Sequence, residues 1–97
     1  MAQVKSGSQL REWIDDYLAY LLREWQNLPD LAQEWDCWTA DEQLDFVVEW
    51  PIREDRLQQL QHWAAEGRLT PAQCARYQDL LALIARYRST LERLFVE

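Results

Sequence analysis

An unbroken amphipathic stripe over residues 10–25 constrains the fold of this chain more than any other feature. Eight apolar side chains recur there at steps of three and four residues, the spacing that gives an α-helix one apolar face. The sequence therefore predicts a first helix from about residue 9 to Asn27, with that face packed against other elements. The stripe consists of Leu10, Trp13, Ile14, Tyr17, Leu18, Leu21, Leu22 and Trp25.

Residue types that begin and end helices predict breaks further along the chain. Pro29 suits the first turn of a short second helix. Thr39 and Glu42 have the spacing of a capping box, which predicts the start of a third helix. Because a proline disfavours the helical conformation in the residue before it, we expect this third helix to end near Trp50, ahead of Pro51.

The remaining residues predict two more helices, one from Pro51 to a left-handed cap at Gly67 and one from a second capping box at residues 70–73. No segment alternates with a period of two, so the predicted fold class is all-α. We expect a compact bundle of about five helices, the last two forming an antiparallel helical hairpin. Residues 1–8 are predicted to be a flexible N-terminal lead-in, and residues 9–97 a single helical domain.

Five side chains at the centres of the apolar stripes are predicted to be almost fully buried. Each has apolar neighbours three or four residues away on the same helix face, which places it in the middle of a packed surface. These predicted core residues are Leu18, Leu21, Leu60, Ile84 and Leu91.

The negative charge of the chain is concentrated in residues 30–52. This segment carries seven acids and no Lys or Arg, while the ten acids and ten bases elsewhere cancel, so the segment accounts for the net charge of −7. Three of the six tryptophans lie in it as well. Acidic side chains mixed with aromatic ones are typical of a surface that docks a basic protein.

Viewed down its axis, the predicted third helix has two apolar faces. Leu44, Val47 and Val48 lie within about 60° of one another and are assigned to the core. Phe46 and Trp50 lie on the opposite side, either as anchors for a partner or as the second face of a helix packed on both sides. We predict a partner-binding surface formed by Trp35, Trp38, Asp41, Asp45, Phe46, Glu49 and Trp50.

No residue pattern predicts catalysis, a cofactor or a metal. His62 is the only histidine and is expected to be exposed, without the second histidine or nearby cysteine that a metal site needs. Cys37 and Cys74 are far apart and are expected to be reduced, half-buried thiols, with Cys74 toward the core. We therefore predict that the protein is not an enzyme.

The overall composition limits the location and partners of the protein. The N-terminus lacks the pattern of a signal peptide, the longest apolar runs are too short to span a bilayer, and the cysteines suit a reducing compartment, so we expect a cytoplasmic protein. A sequence pI near 4.6 disfavours binding to nucleic acid or to anionic membranes.

These patterns together predict a non-catalytic protein–protein interaction module, such as a small regulator, adaptor or antitoxin-like protein, that docks a basic partner. The width of the apolar faces also predicts a homodimer or an obligate complex. Two alternatives stay open: a nucleic-acid mimic that blocks the site of a nuclease or polymerase, and a small helical enzyme of unknown type.

Overall fold

A computed structural model describes the backbone of residues 2–96 and the side chains of residues 9–95, and this part of the chain is all-α. It consists of α1 (Ala2–Glu34), α2 (Ala40–Ala65) and α3 (Pro71–Val96), with a short 3₁₀ turn at Trp35–Cys37 after α1. The prediction of a flexible lead-in stays untested, because Met1 lies outside the described residues and only the helical backbone of residues 2–8 is described.

The predicted number of about five helices is wrong, because two prolines lie inside helices instead of beginning them. Pro29 is within α1, and Pro51 is within α2, which continues through the predicted break. Each proline costs one backbone hydrogen bond. That cost is offset in α2 by packing on both sides of the break, since Trp50 before Pro51 and Leu57 after it are both buried.

Both predicted capping boxes are present. At the start of α2, the Thr39 amide donates to Glu42 Oε1 over 2.8 Å, and the Glu42 amide donates to Thr39 Oγ1 over 3.1 Å. The same reciprocal bonds link Thr70 and Gln73 at the start of α3, at 3.0 and 3.1 Å. Gly67 has a φ of +74° in the connection between α2 and α3, the left-handed conformation predicted for it.

Helices α1 and α3 run in the same direction and form the most extensive helix pair. Near their N-terminal ends, the Gln73 side-chain amide donates to the Arg11 carbonyl (3.1 Å) and to Asp15 Oδ1 (2.8 Å). Near their C-terminal ends, Ala32 and Leu94 line one shared groove. The buried Gln73 therefore caps α3 and fixes its register on α1 with the same side chain.

Helix α2 runs antiparallel to the other two and packs on them through large aromatic side chains. Its C-terminal part meets the early part of α1, where the Tyr17 and Trp63 ring centroids lie 5.3 Å apart. Its N-terminal half meets the later part of α1, where Trp25 and Trp50 make an edge contact at 5.2 Å. The chain therefore passes up, down and up along the bundle.

The core follows this arrangement, and the five predicted core residues are all buried. The Cα atoms extend 51 × 25 × 17 Å, so the bundle is long and thin and each helix keeps one long face toward solvent. The buried apolar side chains are Ile14, Leu18, Leu21, Trp25, Leu28, Trp35, Phe46, Trp50, Leu57, Leu60, Leu80, Ile84, Leu91 and Leu94.

The predicted orientation of the first half of α2 is wrong. Phe46 and Trp50 face the core, with 8% and 2% of their surface exposed, whereas Leu44 and Val48 lie outside and Val47 is half-buried. The physical reason is the continuity of α2. Phe46 and Trp50 fall on the same face as Leu57 and Leu60 in one unbroken helix, and burying two large aromatic rings gains more than burying smaller aliphatic side chains.

Candidate partner-binding surface

The aromatic members of the predicted surface form a cluster beneath it. Phe46 lies between Trp35 and Trp50, with ring centroids 5.5 and 5.3 Å away, and all three rings are buried. Trp38 is half-buried and packs on Trp35 at 5.6 Å. The placement of Phe46 and Trp50 as exposed anchors is therefore corrected: within one chain, these rings fill the space between α2 and the other two helices.

The acidic members of the predicted surface are exposed, as the sequence predicts. Asp41, Asp45 and Glu49 follow one another at four-residue steps along α2, so their side chains form one row on the helix surface, which we call the acid row. A row of like charges opposes helix formation by a few tenths of a kcal/mol for each adjacent pair.

Carboxylates of residues 30–52 have no basic partner among the described side chains. All seven are exposed. The ion pairs of the described residues use acids from other parts of the chain: Asp15 with Arg76, Glu24 with Arg53, Glu54 with Arg88, and Glu66 with Arg68 and His62. Four of the nine described acids outside this segment are thus paired within the chain, whereas none of the seven inside it has a basic partner among the described residues.

An open groove of about 340 Å³ lies between α1 and the first half of α2. Its walls carry the carboxylates of Glu42, Asp45 and Glu49 from α2, together with Glu24 from α1. Trp38 and Phe46 also line it and supply an aromatic surface. The groove is therefore acidic at its edges and aromatic on one side.

Arg53 is the one base that lines this groove, and sequence reasoning did not assign it a role. Its guanidinium donates to Glu24 Oε1 through Nε at 2.8 Å, with Nη2 2.7 Å from the same oxygen. It also lies over the rings of Trp50 and Phe46, 5.0 and 5.7 Å from the ring centroids. Arg53 thus neutralises one of the four groove carboxylates and shows that a guanidinium fits against the aromatic cluster.

A row of three exposed aliphatic side chains runs beside the acids. Leu44, Val48 and Ile52 are 59%, 64% and 50% exposed, and their four-residue spacing aligns them along the outside of α2. We call them the apolar row. Sequence reasoning missed this surface because it assigned Leu44 and Val48 to the core.

A polar contact supports the aromatic cluster from the side of α3. Glu54 Oε2 accepts hydrogen bonds from Trp50 Nε1 at 2.8 Å and from Arg88 Nη1 at 2.7 Å. Partial burial acts to raise the pKa of Glu54, but the bonds from Arg88 and Trp50 and the charge of Arg88 outweigh it and hold the pKa below the ordinary value of 4.5. The contact therefore favours the ionised carboxylate.

Glu54→Gln is expected to lower the free energy of unfolding at pH 7. Because the pKa of Glu54 is depressed in the folded state, its charge stabilises the fold above the unfolded-state pKa, and this contribution is lost as the pH falls through the folded-state pKa. Urea unfolding of both proteins at a series of pH values should show their difference shrinking below about pH 4.5. A difference that stays constant down to about pH 3 would assign the effect to packing and not to charge.

The two cysteines and the single histidine all lie on the surface. Cys37 and Cys74 are both exposed free thiols, which corrects their predicted half-burial. His62 is exposed, as predicted, and its Nε2 lies 3.0 Å from Glu66 Oε2. No group of three or more His, Cys, Asp or Glu side chains among the described residues is arranged to hold a metal ion.

None of the described helices has a stretch both long and apolar enough to cross a bilayer.

Comparisons of the chain with protein-family models, with curated proteins and with solved structures found no match.

Proposed function

We propose that this protein is a non-catalytic interaction module of the cytoplasm that binds a basic protein partner through an acidic surface on the first half of α2. The acidic surface comprises Asp41, Asp45 and Glu49, together with the groove that Asp45 and Glu49 line. A small regulator, an adaptor or an antitoxin-like protein would act in this way. The exposed free thiols of Cys37 and Cys74 suit a reducing compartment.

The absence of any internal basic partner for the seven carboxylates of residues 30–52, among the described side chains, carries this proposal. Unpaired charges of one sign on one surface produce a directed field that attracts a protein of opposite charge and can raise its association rate by about 10- to 1,000-fold. The row costs some helix stability, and a basic partner would relieve that repulsion. Exposed charges of this kind act mainly on the rate of encounter.

The acid row also supports the nucleic-acid mimic as a second candidate, since its exposed carboxylates repeat once per helical turn. A mimic would occupy the phosphate-binding site of a nuclease or polymerase. The apolar row beside the acids favours an ordinary protein interface, in which apolar contacts accompany the charges. Identifying the protein that binds this surface would distinguish an interaction module from a nucleic-acid mimic.

The test compares two variants that carry the same change in charge. One replaces the acid row (Asp41→Asn, Asp45→Asn, Glu49→Gln), and the matched control replaces three exposed acids on the other helices (Asp16→Asn, Asp79→Asn, Glu92→Gln). Affinity capture from the host, followed by mass spectrometry, identifies proteins held by the wild type. Stopped-flow binding to the purified partner then measures the association rate at several salt concentrations.

We expect the acid-row variant to bind the partner at least about tenfold more slowly at low salt, with the control variant within about twofold of the wild type. The wild-type rate should fall steeply as salt is added, because ions screen exposed charges beyond about 8 Å at physiological salt. If the two variants lose equal amounts, only net charge matters and the acidic surface has no special role. A partner without a basic surface would also contradict the proposal.

A further inference from the structure

The apolar row is the strongest feature that the proposed function leaves unexplained. Leu44, Val48 and Ile52 are three of the five large apolar side chains that the described residues expose, and they are consecutive on one helix face. Ile52 follows Leu44 by eight positions, so the row extends for about 12 Å, or a little over two helical turns. The exposed Pro51 and the half-buried Val47 lie on the side of the row away from Asp41, Asp45 and Glu49. Together with the row they form a wider apolar surface, which we call the apolar strip.

Three acids lie along one edge of this strip, and the exposed Asp55, one turn after Pro51, lies at its C-terminal end. Asp41, Asp45 and Glu49 are offset from the apolar row by about 60° around α2, so each turn of the helix presents an aliphatic side chain with a carboxylate beside it. The opposite edge, at Val47 and Pro51, is uncharged. A segment that covers the strip is therefore required to be apolar along its centre and basic along one edge.

We propose that the apolar row binds an amphipathic helix of the basic partner, an inference that rests on the proposed function. Its apolar side chains, three and four residues apart, would pack on Leu44, Val48 and Ile52, because side chains at four-residue steps form a ridge that fits between those of a facing helix. Its Lys or Arg side chains would lie against the carboxylates of Asp41, Asp45 and Glu49. The partner helix would then both cover the apolar strip and neutralise the acid row.

Charge distinguishes this occupant from a second copy of the chain. In a two-fold dimer formed through the same face, the acid row of each copy would lie against a surface with the same composition. Residues 30–52 contain no Lys or Arg, and Arg53 beside them already pairs with Glu24, so residues 30–53 offer no unpaired base to neutralise the carboxylates of a second copy. An anionic membrane surface is disfavoured for the same reason.

The test uses a synthetic helical peptide of about 21 residues, with Leu at positions three and four apart and Lys or Arg on one adjoining face. A scrambled peptide of the same composition is its control. The protein variants are Val48→Ser with Ile52→Ser in the apolar row, the acid-row variant, and Trp13→Ser as a control. Trp13 lies on α1 and is 49% exposed, close to the 50% of Ile52. Fluorescence anisotropy measures affinity, and circular dichroism measures helix gained by the peptide.

We expect the helical peptide to bind the wild type at least tenfold more tightly than the scrambled peptide does, and to gain helix on binding. The Val48/Ile52 variant should lose at least tenfold in affinity, and Trp13→Ser less than twofold. Equal binding of the two peptides, lost only in the acid-row variant, would overturn the helix-docking inference and leave the proposed function standing. No binding of either peptide would overturn the inference. So would light scattering that shows a wild-type dimer dispersed by the Val48/Ile52 variant, since the row would then be covered by a second copy.

Discussion

Replacing Trp50 with alanine is expected to destabilise the fold by about 3–5 kcal/mol, the range found when a large aromatic side chain is removed from a core. The indole is 2% exposed and contacts three other rings, those of Trp25, Phe46 and Phe95, with centroids between 5.2 and 6.3 Å away. Its Nε1 also donates to Glu54, so the variant removes one of the bonds that stabilise the ionised carboxylate. A loss of this size is a large part of the stability of a small domain.

Urea unfolding followed by circular dichroism measures this loss, with Trp13→Ala as the matched control. Trp13 is the one tryptophan that is 49% exposed, so its removal leaves no enclosed cavity and should cost much less than the loss of Trp50. If Trp50→Ala costs no more than Trp13→Ala, Trp50 does not belong to the core of the single chain. The prediction that Trp50 is an exposed anchor would then be correct.

The parts of the fold that local chemistry determines could be predicted from the sequence. The stripe between Leu10 and Trp25 spans more than four helical turns, so its period admits only one buried face. In α1, four of its eight side chains are buried, three are half-buried and Trp13 alone is exposed. The capping boxes at Thr39 and Thr70 are also local, since each needs only two side chains three residues apart. The start of each of these helices follows from the same few residues.

The orientation of α2 could not be obtained in this way, because it depends on whether Pro51 ends a helix. A helix that stops at Trp50 contains only about ten residues, and on so short a segment the Leu44 and Phe46 faces are both plausible core faces. A continuous helix to Ala65 must instead bury one stripe throughout, and Leu57 and Leu60 then select the face that holds Phe46. The helix continues because packing of α2 on two other helices offsets the missing bond, which is a tertiary effect.

The predicted end of the helix at Pro51 also explains which parts of the candidate site the sequence predicted and which parts it missed. The exposure of Asp41, Asp45 and Glu49 was predicted, since charged side chains stay in water on either orientation of α2. The aliphatic row beside them was missed, because the orientation of the helix decides which apolar face is left uncovered. Arg53 was missed for a related reason: a break at Pro51 would separate it from the groove that it lines.

Pro51→Ala should therefore stabilise the protein, by about 1–3 kcal/mol, if α2 is continuous. Alanine restores the amide that a helix needs to bond the Val47 carbonyl four residues earlier, and it removes the clash of the proline ring with the preceding turn. The gain is expected to fall below the full cost of an internal proline, because proline also restricts the unfolded chain by about 0.4–1 kcal/mol. Pro51 is exposed, so the smaller side chain leaves no enclosed cavity.

The matched control is Pro71→Ala, at the first residue of α3, where proline is also exposed. Its missing amide has no helical partner at that position, and its fixed backbone angle suits the start of a helix. Thermal unfolding should therefore show a higher midpoint for Pro51→Ala, by about 4–8 °C for each kcal/mol gained, and no increase for Pro71→Ala. If the two substitutions have the same effect, Pro51 begins a helix just as Pro71 does. In that case α2 is two helices, and the burial of Phe46 and Trp50 no longer follows from the residues beyond the proline.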